Sequence, residues 1–102
     1  KVRLILPLSY IGASALGSSR TMDLGWQAYV NDAGTTVAAD PNGLDDGIDV
    51  SSATTSTPGG TVGTHETVLF SSQAGVVIDA QINDGTLPSG ATIMGYFIYT
   101  ID

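Results

Sequence analysis

The stretch G-V-V-I-D-A-Q-I, Gly75 to Ile82, decides the fold class. Val76, Ile78, Ala80 and Ile82 alternate there with Val77, Asp79 and Gln81. Successive side chains of a strand point to opposite faces, so this period of two builds a strand with one buried face. A helix would need apolar residues three and four apart, and no window of the chain carries a convincing stripe of that kind.

Working outward, Asn83-Asp84-Gly85 turns the chain, and Pro88-Ser89-Gly90 turns it again into Ala91 to Ile101, the longest expected strand. Upstream, Thr64 to Phe70 reads as a strand, and Ala53 to Gly63 as a Ser/Thr/Pro/Gly-rich loop. Asp40 to Asp49 reads as an acidic, Gly-rich loop, with one more short strand at Ile48 to Ser52. Leu24 to Val30 and Thr35 to Ala39 read as strands joined by Asn31-Asp32-Ala33-Gly34, a hairpin-type turn because Asn and Gly tolerate positive φ. Val2, Leu4, Leu6 and Leu8 alternate with Arg3, Ile5 and Pro7 as a first strand. The same N-terminal segment, with Ala13-Ser14-Ala15 after it, mimics a secretory signal; the alternation favours the strand. About six to eight short antiparallel strands at roughly ten-residue spacing predict an all-β sandwich or jelly-roll-like fold, one domain spanning residues 1–102.

Composition agrees and narrows the function. Hydrophobic residues make up 42% of the chain, enough to build a core, while charged residues reach only 13%. The net charge is −7, and Lys1, Arg3 and Arg20 are the only basic residues besides the lone His65. A nucleic-acid backbone needs clustered Lys and Arg to displace its counterions, so it is excluded as a partner, and an anionic membrane repels the same surface. No run of about twenty apolar residues offers a membrane span. With no cysteine there is neither a disulfide framework nor a thiolate metal site, and self-association is the expected source of added stability.

Two segments resemble each other. G-W-Q-A-Y-V-N-D, Gly25 to Asp32, and G-Y-F-I-Y-T-I-D, Gly95 to Asp102, both place an aromatic after Gly, Tyr three residues later and Asp three after that. Residues three apart on a strand face opposite ways, so these rings predict two strands of a wall and not one ring-lined pocket. The last strand is apolar on both sides, with Ile93, Phe97, Tyr99 and Ile101 on one and Met94, Tyr96 and Ile98 on the other. An outer sandwich face is ordinarily polar, so Met94, Tyr96 and Ile98 are the expected interface with another copy of the chain.

Chemistry-bearing patterns are sparse. Asp40, Asn42, Asp45, Asp46 and Asp49 are hard-oxygen donors within ten residues, a candidate Ca²⁺ set with a structural purpose. The Ca²⁺-loop grammar fails at Leu44, and the other reading is a surface turn in which Asp and Asn bond their own backbone. His65-Glu66 opens a zinc-protease motif, but Leu69 stands at the second ligand position. The spacing G-x-S-x-G is absent, and Lys1 is the only lysine, so no nucleophile elbow or phosphate loop is present. No catalytic residue or resident cofactor is expected. Trp26, Tyr10 and Tyr29 are candidates for stacking on sugar rings, against a reading in which Trp26 joins Leu24, Ala28 and Val30 on a core face.

Three stretches together, L-G-W-Q-A-Y-V from Leu24, A-A-D-P-N-G-L-D-D-G-I-D-V-S from Ala38 and L-P-S-G-A-T-I-M-G-Y-F-I-Y-T-I-D from Leu87, resemble small all-β structural proteins of tailed bacteriophage virions. The resemblance implies a capsid-decoration or tail and fibre component whose copies pack side by side, often as homotrimers. It further implies contact with other virion proteins such as the major capsid protein, and residence in the extracellular particle. The long basic or extended arm of many decoration proteins is not evident, and Lys1 to Leu8 is the segment expected to add a strand to a neighbour. The alternative is a monomeric carbohydrate- or Ca²⁺-binding module of a secreted protein.

Overall fold

The computed structural model describes residues 1–59 and 67–102. The chain is all-β, and the described residues form nine strands: β1 (Val2–Ala13), β2 (Thr21–Trp26), β3 (Tyr29–Val30), β4 (Thr36–Val37), β5 (Asp40–Asp49), β6 (Thr54–Ser56), β7 (Thr67–Phe70), β8 (Ile78–Asn83) and β9 (Ile93–Ile101). All pair antiparallel, in two main sheets and a small β3–β4 hairpin.

The first sheet is built on β1. Val2 to Ile5 pair with both β7 and β9, and Ile11 to Ala13 with both β6 and β9. A strand has two edges, so β6 and β7 lie end to end along one edge of β1 and β9 runs along the whole of the other. The sequence led us to expect that Lys1 to Leu8 adds a strand to a neighbour; within the chain Val2 to Ile5 are instead already paired on both sides. The second sheet has the order β5-β2-β8. Between the sheets lie Leu4, Leu6, Ile11, Met22, Leu24, Leu44, Ile48, Val50 and Phe70, joined by Leu16 from the β1–β2 connection. Leu16 is fully buried, and its N–H donates to the Val50 carbonyl at 2.8 Å.

Two irregularities shape this frame. Ile5 stands opposite Ile98 and Tyr10 opposite Tyr96, so Leu6, Pro7, Leu8 and Ser9 bulge against Phe97 alone. Pro7 has no N–H to give a ladder, which makes a bulge its natural seat. The buried Ser9 hydroxyl closes the gap, donating to the Ile5 carbonyl at 2.9 Å and accepting from the Ile98 N–H at 3.0 Å.

The segment expected to be an acidic loop, Asp40 to Asp49, is strand β5. Met22 faces Ile48, Leu24 faces Asp45 and Trp26 faces Asp40, so seven residues of β5 are set against three of β2. Leu44, Ile48 and Val50 need the core, and the bulges let Asp46 and Asp49 turn outward between them. Likewise Thr54–Ser56, expected within the Ser/Thr/Pro/Gly-rich loop 53–63, pairs with β1 as β6. Residues 60–63 of that loop lie outside the described residues.

The hairpin turn follows the expected chemistry. Asn31 Oδ1 accepts from the N–H groups of Ala33 at 3.0 Å and Thr35 at 2.9 Å. The expected strand Leu24 to Val30 instead breaks at Gln27–Ala28, between β2 and β3. Of the first twin aromatic segment, Gly25 and Trp26 lie in β2 of the second sheet and Tyr29 and Val30 in the β3–β4 hairpin, whereas the second segment runs unbroken in β9 of the first sheet. Their shared Gly has one cause in both: a Cβ at Gly25 would strike the Asp40 carbonyl oxygen, and one at Gly95 the Tyr10 carbonyl oxygen.

Candidate interaction face

Strand β9 carries no charged residue and no proline over its nine positions. Its backbone orientation follows from three bonds to β1 and its flanks: Thr92 with Ser14, the Ile98 N–H with Ser9, and the Asp102 N–H with the Lys1 carbonyl. Even-numbered residues thus turn their peptide groups toward β1. By the alternation of an antiparallel ladder, those of Ile93, Gly95, Phe97, Tyr99 and Ile101 face the opposite way. Among the described residues no strand pairs with that edge.

The side chains divide correspondingly. Met94, Tyr96 and Ile98 stand on the outer face, 63%, 56% and 40% exposed. Tyr96 stacks on Tyr10 of β1, with ring centroids 5.7 Å apart and planes 23° from parallel. Ile5 and the exposed Leu69 extend the same face across β1 and β7. On the inner face Phe97 is half-buried against the core, whereas Tyr99 and Ile101 are exposed. The residue that follows the strand is anchored: Arg3 donates to Asp102 Oδ2 from Nε at 3.1 Å and Nη2 at 2.8 Å. These bonds hold the Asp102 carboxyl below the usual carboxylate range.

Two hollows flank this strand. An open groove of about 380 Å³ runs beside Tyr10 and Met94, with Gly12 and Ala13 along it and the hydroxyl-bearing Ser14, Thr54, Thr55 and Thr92 around it. A second hollow, about 200 Å³, opens between the edges of β9 and β8, lined by Ile93, Gly95 and Phe97 on one side and Ile78 and Ala80 on the other.

The proposed Ca²⁺ ligands do not converge. Asp45 is fully buried beside Leu44, and its Oδ1 accepts from the Asp46 N–H at 3.0 Å. Asp46 and Asn42 are exposed, and Asp40 is half-buried opposite Trp26. Asp49 Oδ1 accepts from the Ser51 hydroxyl at 2.6 Å and the Ser51 N–H at 2.9 Å, which hold its pKa down. Among the described residues no three His, Cys, Asp or Glu side chains form a group able to hold a metal ion. The register gives the reason: Asp40 lies opposite Trp26 and Asp49 opposite Thr21, so the ends of the set are held about five strand residues, roughly 17 Å, apart instead of curling round a centre.

The sugar-stacking candidates separate in the same way. Trp26 is half-buried, edge-on to Phe70 at 5.3 Å, with its Nε1 donating to the Ala38 carbonyl at 3.2 Å. Tyr29 meets the same Phe70 ring at 5.9 Å, so the break at Gln27–Ala28 brings together two rings that a continuous strand would have set apart. Ala28 and Val30 are exposed instead of joining Trp26 at the core. Tyr10 borders an open groove. His65 and Glu66 lie outside the described residues.

Sequence reasoning missed Ser9 as the clasp between β1 and β9, and Tyr10 as the support of Tyr96. Pro7 inside an apolar alternation was the available signal of a bulge. It also missed Asp32, whose carboxylate accepts from the Ser71 hydroxyl at 2.8 Å and the Gln73 N–H at 2.9 Å and is lowered in pKa by both. Comparison with family models, with curated proteins and with solved structures finds no match to this chain.

Proposed function

We propose that this chain is a non-enzymatic structural subunit that self-associates through the outer face of β9 and stabilises or decorates a virus particle. The observation that carries the reading is the unguarded apolar face: Met94, Tyr96 and Ile98 are exposed side by side on a strand without a single charge. Contiguous apolar surface of this kind marks association sites. Tyr-rich contacts suit the role, since they supply large area at little cost in side-chain entropy. Three copies per assembly, with the major capsid protein or another virion component beneath them, is the arrangement the resemblance favours. An interface of about 800 Å² per partner is ordinary for such a contact.

Sedimentation equilibrium of the chain at micromolar concentration, in Ca²⁺ and in EDTA, tests this. A trimer or larger assembly indifferent to chelation is expected. A strict monomer in both buffers overturns the reading. The groove beside Tyr10, with its ring of hydroxyls, favours a second reading as a carbohydrate-binding module. That module would sediment as a monomer and bind sugar with loss on Tyr10→Ala.

A further inference from the structure

We infer that the free edge of β9 pairs, antiparallel and about a twofold axis, with the β9 edge of a second copy. This rests on the self-association reading but uses the strand's edge and inner face, not its outer face. The outward peptide groups belong to Ile93, Gly95, Phe97, Tyr99 and Ile101, a set symmetric about Phe97. A twofold axis there pairs all nine residues of the strand. Phe97 faces its own copy, Ile93 faces Ile101, and Gly95 faces Tyr99. The last pair meets the hollow between β9 and β8, which Gly95 helps to line. Tyr99 is 57% exposed and has no ring partner within its own chain among the described residues. Cross-strand aromatic packing over an edge glycine is a favourable arrangement, and here the symmetry makes it twice.

Charge points to the same occupant. Copies with net charge −7 repel one another over most of their surface, and β9 is the uncharged strip where they approach at least cost. Natural edge strands are ordinarily defended by Lys, Pro or a bulge, and β9 has none of these on its free side. Face contacts in rings and edge contacts between rings together extend an assembly in the way a particle coat requires, since a twofold contact joins rings that a threefold contact closes.

The test exploits the absence of native cysteine. Ile93→Cys and Ile101→Cys chains are prepared separately, mixed and oxidised with glutathione disulfide. Directly opposed residues of a hydrogen-bonded pair have Cα atoms about 5.5 Å apart, within disulfide range, whereas two copies of either variant alone hold their thiols roughly 26 Å apart. Both variants leave Met94, Tyr96 and Ile98 in place. A disulfide dimer in the mixture and not in either chain alone is expected. Tyr99→Lys in both chains should weaken that cross-linking roughly tenfold while the circular dichroism spectrum stays unchanged. Native chain that associates while the mixture gives no cross-link overturns the edge pairing and leaves self-association standing. Native chain that sediments as a monomer overturns both. Cross-linking that survives Tyr99→Lys undiminished overturns the packing of Tyr99 over Gly95 as what holds the edges together.

Discussion

Ser9 shows how one hydroxyl lets a strand tolerate a bulge of four residues against one. Its oxygen stands between the Ile5 carbonyl and the Ile98 N–H, where a regular ladder would bond them directly. Ser9→Ala removes both bonds inside a site that is 5% exposed, leaving a donor and an acceptor out of water. The expected loss is about 1–3 kcal/mol, read from urea unfolding, with the denaturant slope unchanged. A loss confined to a few tenths would mean that the bulge re-pairs on its own. Pro7, Ser9 and Tyr10 form one local unit: the proline prevents pairing, the serine replaces it and the tyrosine resumes the ladder beneath Tyr96.

At the scale of the element, β9 is held by one neighbour and exposed to everything else. Its grip on β1 is secured at Thr92, Ile98 and Asp102, and its outer face lends little to the protomer's own core. Met94→Lys with Ile98→Lys should therefore shift protomer stability by no more than roughly 0.5 kcal/mol per site, as for ordinary surface changes. The same pair should abolish the face contact and leave nothing larger than the edge-paired dimer in a sedimentation experiment. The substitution makes the chain less negative, so general charge repulsion would predict the opposite. An assembly larger than a dimer that persists in the double variant would place the face contact elsewhere. Strand β5 makes the contrasting case. Its fully buried Leu44 and Asp45 and its position against β2 bind it to the core, and its acidic residues are spent on bulges and turns.

At the scale of the molecule, ten carboxylate side chains against three basic ones set the response to acid. Asp32, Asp49 and Asp102 each have a pKa lowered from 3.8 by hydrogen bonds, to Ser71, Ser51 and Arg3 respectively. A folded pKa below the unfolded one contributes stability that is complete above the unfolded value and is lost as pH falls through the folded one. The melting temperature should thus hold steady down to about pH 4 and fall below it. Asp32→Asn and Asp49→Asn should flatten that fall, and a melting series from pH 7 to 2 checks it. A curve that is unaltered in the variants would assign the acid limb to other groups. Protonation also lowers the mutual repulsion of copies, so association should tighten over the same interval in which the protomer weakens.

Local physics made much of this legible in the sequence. Period-two alternation at Gly75 to Ile82 and at the C-terminal strand announced an all-β chain, because the two faces of a strand need nothing beyond adjacent residues to be told apart. Asn31 and Gly34 announced their turn for the same reason, their own side chain and backbone freedom being sufficient. Met94, Tyr96 and Ile98 stood out as an uncovered row. Only the tertiary structure decided who sits beside whom. It made β5 a strand by demanding Leu44 and Ile48 for the core, and it buried Leu16 out of an aperiodic loop. It brought Trp26 and Tyr29 together on Phe70, split the first twin segment between β2 and β3 while the second stayed whole in β9, and left β9 at an open edge. Each of these depends on pairing between residues far apart in the chain. A strand's own residues encode its two faces, but nothing in them names its neighbours, its register or which of its edges stays free.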